Sequence, residues 1–64
     1  AHFDHANARF LYAWSAFEAG RKDEAKVEAV RADAMFAELA QRPDPPAGTK
    51  RARELLAPLL ESLR

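Results

Sequence analysis

Ala19-Gly20-Arg21-Lys22-Asp23-Glu24-Ala25 joins two stretches of helical periodicity, and its reading decides the fold. Glycine can take the left-handed conformation that closes a helix, and Asp23 is placed to cap the helix that follows. The apolar pattern stops before Gly20 and resumes at Ala25. A charged corner between two such stretches is the elbow of an antiparallel helical hairpin.

Outward from the elbow, three helices are legible. The first is expected over about residues 4–19. Phe3, Phe10, Trp14 and Phe17 recur at helical spacing, with Ala6 and Ala13 on the same side, and Ala8, Tyr12, Ala16 and Ala19 form a smaller-residue face opposite. The second is expected over about 24–41, roughly 27 Å long at 1.5 Å per residue. One side carries Ala25, Ala29, Ala32, Phe36 and Leu39; the other carries Val27, Val30, Ala34 and Ala37. A helix apolar on two sides is expected to pack on two sides. Residues 42–48, with Pro43, Pro45 and Pro46, form a stiff linker.

The third helix is expected over about 49–63, with Thr49 as N-cap and a stripe of Ala52, Leu55, Leu56, Leu59, Leu60 and Leu63. Pro58 falls inside it and removes one backbone bond, which predicts a kink or break near Ala57. Because the stripe stays in phase past Pro58, a kinked helix is the favoured form. The fold class is therefore all-α: a hairpin plus a third helix, making one three-helix domain over residues 1–64. No repeat of period 20–50 residues is present.

The bulk numbers agree with a small globular domain. The chain has 64 residues, 48% hydrophobic and 31% charged, and no cysteine. A core of this size supplies only ~3–5 kcal/mol, so stabilisation by another chain is a natural expectation. Ten basic and ten acidic residues give a formal net charge of +0, which points away from nucleic acid and anionic membranes. No apolar run reaches the ~18–20 residues that cross a bilayer. A soluble domain is expected, cytoplasmic or periplasmic, since cysteine usage does not separate the two. The excess of Arg over Lys and the wealth of Ala fit GC-rich bacterial coding, and the absence of an initiator Met fits a processed or excised piece.

The stretch from Asn7 to Leu39 resembles a single tetratricopeptide (TPR)-type helix-turn-helix unit. The residues that carry the resemblance are Ala13 in the first helix, Gly20 at the corner, and Ala25 and Ala32 in the second. In that family, small residues at such positions let two helices pack tightly. The chain departs from the pattern at Arg9, where a large aromatic is usual, at Ala16 and Ala29, where bulk is usual, and at Ala37, where a closing proline is common. In layout it is also similar to microtubule-interacting-and-transport domains, which add a third helix to such a hairpin. The resemblance implies that Ala8, Tyr12, Ala13 and Ala16 face the second helix. It further implies that Phe10, Trp14 and Phe17 point to the concave side, where TPR-like arrays hold peptide ligands.

The candidate partner-binding residues follow. Phe10, Trp14 and Phe17 carry more apolar surface than a chain leaves in water, and Trp is a favoured hot-spot residue. Either the third helix or a partner must cover them. Leu56 and Leu60 extend the candidate surface onto the third helix. Lys50, Arg51 and Arg53 crowd its start, against the helix dipole, and suit an acidic partner. Ser15, Ser62, His2 and His5 do not make a catalytic constellation, and the only glycines, Gly20 and Gly48, make no phosphate loop. His2 and His5 lack the further ligands of a metal site. No enzyme, cofactor or metal is expected. The function these residues suggest is a protein–protein interaction module or scaffold that takes a helix or peptide on apolar helix faces. The alternative is a structural accessory subunit or oligomerisation domain, including a homo-oligomer.

Overall fold

The computed structural model describes residues 2–64. It is an all-α three-helix bundle: α1, Phe3–Glu18; α2, Lys22–Ala40; α3, Thr49–Ser62. The ends fall within two residues of those read from the pattern.

Gly20 closes α1 with φ of 81°. Its N–H donates to the Phe17 carbonyl at 3.1 Å, and the Arg21 N–H reaches back to the Ala16 carbonyl at 2.9 Å. These two bonds are a Schellman closure. The Arg21 carbonyl in turn accepts from the Ala25 N–H at 2.9 Å, so α2 grows from the residue that ends α1. This corrects the cap expected at Asp23. Arg21 occupies the cap position with no side-chain bond, and Asp23 and Glu24 sit inside the first turn. There their charges meet the positive end of the helix dipole.

The second corner also differs from expectation. Gly48, not Thr49, is the N-cap of α3, with φ 88° and ψ −9° and no side-chain cap bond. The Pro46 carbonyl accepts both the Thr49 N–H at 3.2 Å and the Thr49 hydroxyl at 2.8 Å. The hydroxyl that could have capped the helix amides is thus turned back onto the linker. With positive φ confined to the glycine, Pro46 to Thr49 has the dihedral signs of a type II turn. Helix α3 then runs through Pro58 without a break, and Pro58 lies on the exposed side. Solvent there can reach the Glu54 carbonyl that loses its intrahelical donor.

Helix α1 lies along α2, while α3 rests chiefly on α2 and only touches α1. The hairpin buries Ala6, Ala13 and Ala16 from α1 and Ala25, Ala29 and Ala32 from α2, none with exposed surface. Alanine has no side chain beyond Cβ, so the two backbones can approach closely. Of the residues of α1 expected to face α2, Ala13 and Ala16 are buried, while Ala8 and Tyr12 are exposed; Ala6 is buried as well. Phe36 fills the centre, fully buried, with the rings of Phe3 and Phe10 edge-on at 5.8 and 6.4 Å. Leu39, Leu56 and Leu59 complete the core. Burying one such side chain stabilises by about 1.5–3 kcal/mol. The radius of gyration is 11.1 Å, close to the roughly 11 Å expected of a compact chain of this length.

Candidate interaction surface

Packing brings the aromatic stripe of α1 and the leucine stripe of α3 into the same core. Phe10, Trp14 and Phe17 are half-buried against the central cluster, and Trp14 meets Phe17 edge-on with ring centroids 6.0 Å apart. Leu56 is wholly buried, and Leu60 is half-buried. The chain's own core therefore covers part of each aromatic ring, and Leu56 offers no surface in this conformation. Two leucines adjacent to these in sequence remain outside instead: Leu11 on α1, 56% exposed, and Leu55 on α3, 40% exposed.

The basic trio does not act as one patch. At about 100° per residue, Lys50 and Arg53, three positions apart, share one face of α3, and Arg51 points away from it. Arg53 is drawn to α2, where its Nε donates to Asp33 at 3.4 Å. Lys50 and Arg51 stay exposed. Beside Arg53 lies an open groove of about 780 Å³, walled by Ala40 of α2, Pro46 of the linker, and Ala57 and Leu60 of α3. Its charged rim mixes Asp33, Glu54 and Glu61 with Lys50, Arg53 and Arg64, three of each sign, so it favours neither an anion nor a cation.

Across the hairpin, Arg9 of α1 donates to both carboxylate oxygens of Glu28 on α2, at 2.8 and 3.1 Å. Arg31 reaches the same carboxylate at 3.4 Å. Arg9 thus ties the two helices of the hairpin from outside. His5, Ala8 and Tyr12 complete a shallow cleft of about 310 Å³ beside this cluster.

A further apolar surface, outside the residues expected to meet a partner, is the outer side of α2. Val27 is 50% exposed, Val30 is 53% exposed, and Ala34 is exposed as well. With half-buried Ala37 they form one row at i, i+3, i+7 and i+10, bordered by Lys26, Arg31 and Glu38. Its signal was present in the sequence as the second apolar side of α2. What periodicity does not contain is that, among the described residues, no other helix covers Val27 and Val30. Among the described residues, no cluster of His, Cys, Asp or Glu could hold a metal ion, and no helix is long and apolar enough to cross a membrane. No family model, curated protein or solved structure matches this chain.

Proposed function

We propose that this chain is a protein–protein interaction module that lays an amphipathic helix of another protein along the outer side of α2. The observation that carries the reading is the Val27–Val30–Ala34 row. Single exposed apolar residues are ordinary. An uninterrupted row on one helix face, charged at both borders, matches the way a helix presents anchors to another helix. The role is binding rather than catalysis, and the described surface supplies grooves with balanced charge.

Selection of displayed amphipathic helices on the native chain tests this, with counter-selection on the Val27→Lys/Val30→Lys double variant. The reading expects helices with apolar residues at i, i+3, i+4 and i+7 that bind the native chain only. Recovery of sequences that bind both forms equally would reject it. The accessory-subunit alternative is separated by dilution: an obligate assembly piece loses helicity as it is diluted, and a folded module keeps it.

A further inference from the structure

We propose that α3 is an exchangeable arm: it undocks while the α1–α2 hairpin stays folded, and the face it leaves accepts the α3 of a second copy of this chain. That face is distinct from the Val27–Val30 row, so exchange of α3 does not depend on a helix binding to α2.

The first observation is how little holds α3 as a helix. It has 14 residues, a length at which isolated helices are marginal. Its N-cap, Gly48, provides no side-chain bond, and its first turn carries Lys50 and Arg51 with no acidic residue. Positive charge at that end opposes the dipole. Pro58 takes one more backbone bond from its interior. Helix α3 is therefore held by docking Ala52, Leu56 and Leu59 more than by its own propensity.

The second observation is that much of the hairpin's packing comes from the hairpin itself. Phe36 is flanked by Phe3 and Phe10, both from α1, and the fully buried alanines belong to α1 and α2 alone. Arg9 and Glu28 add a tie on the far side. The polar tie from α3 to the hairpin runs from Arg53 to Asp33, at 3.4 Å between partly exposed groups. An element bound mainly by one apolar face opens below the global unfolding free energy.

The third observation is the linker. Residues 41–48 separate α2 from α3 and contain three prolines, whose fixed φ favours extended chain. The chain bends at residues 41–44 and enters α3 through the turn at Gly48. Extended at ~3.3 Å per residue, these residues span roughly 26 Å. The molecule's middle dimension is 19 Å, so an extended linker reaches a neighbouring copy. Every contact α3 makes within its own chain is available in that neighbour, which is the condition for exchange of an element between identical protomers.

Two measurements on the unmodified chain test the proposal. In native-state hydrogen exchange, amides of Leu56, Leu59 and Leu60 are expected to be at least tenfold less protected than those of Phe36 and Leu39. In the second, a spin-labelled peptide of residues 49–64 is added at millimolar concentration. Broadening of the Phe10, Trp14 and Phe36 signals, with Val27 and Val30 spared, is the expected result. Common protection of α2 and α3 at every denaturant concentration overturns the proposal. So does an absence of broadening, or broadening confined to the Val27–Val30 row. A Leu59→Ala variant, with its own arm loosened, is expected to bind the peptide at least tenfold more tightly; unchanged affinity in a folded variant counts against exchange.

Discussion

The ring of Phe3, at the start of α1, lies across Gly48, at the start of α3, with its Cζ 3.4 Å from where a side chain on that glycine would begin. The same ring meets Phe36 of α2 at 5.8 Å. One aromatic residue thus gathers the beginning of two helices onto the middle of the third. Both Gly48 and Gly20 have positive φ, 88° and 81°.

Alanine at either glycine is expected to destabilise the fold by about 1–2 kcal/mol, the strain of a left-handed backbone with a Cβ. At Gly20 nothing lies within 4 Å, so strain is the whole effect; at Gly48 the added methyl also touches Phe3. Urea titration of each variant reads this as a lower midpoint with unchanged slope. A neutral Gly20→Ala would show that the Schellman closure is not what holds the elbow.

Phe36→Ala removes the ring against which Phe3 and Phe10 both pack. Such truncations cost ~3–5 kcal/mol, about as much as a domain of this size possesses. The variant is expected to be largely unfolded by circular dichroism at room temperature. Phe36→Leu, which keeps most of the volume, is expected to fold with a lowered Tm.

The Arg9–Glu28–Arg31 cluster differs from the other surface pairs because Glu28 is shielded, with a side chain 12% exposed. Glu28→Gln is expected to destabilise by roughly 0.5–1 kcal/mol, less in high salt, and a double-mutant cycle with Arg9→Met should recover most of it. The pairs Arg21–Glu24 and Arg64–Glu61 are open to solvent on both partners. Neutralising either is expected to leave the urea midpoint where it is.

Pro58→Ala restores a backbone donor to the Glu54 carbonyl at an exposed site of α3. A gain of about 1–3 kcal/mol in helix stability is expected. Hydrogen exchange should show it first in α3, as added protection at Leu59 and Leu60. A gain spread evenly over α1 and α2 would mean that the three helices open only together.

Val27→Lys with Val30→Lys changes side chains that are half exposed, so stability should stay within about 0.5 kcal/mol of the parent. Binding of helices selected on the native chain should vanish. A large loss of stability would instead show that the outer side of α2 is structurally covered in solution.

How far the sequence could be read depended on range. The elbow at Gly20 and the three helices were legible because periodicity and glycine punctuation are local. Capping was less legible. Asp23 and Thr49 are good cap residues, but the cap position of α2 is Arg21, ahead of Asp23, and the Thr49 hydroxyl donates to the Pro46 carbonyl instead of accepting from helix amides. The candidate surface was the least legible. Leu55 and Leu56 are neighbours of the same type, yet one is 40% exposed and the other buried. Arg53 is taken by Asp33, 20 positions away, while Lys50 is left exposed.

By itself, the amino-acid order determined that this protein is helical, where it bends, and which stripes on each helix are apolar. Those follow from backbone preference and side-chain spacing within a few residues. Only the tertiary structure decided which stripe meets which: Ala6 of α1 buried while Ala8 and Tyr12 stay exposed, the aromatic rings half-buried against the core, and, among the described residues, Val27 and Val30 of α2 left exposed. Burial is a sum over neighbours brought from distant parts of the chain, and no local pattern contains that sum.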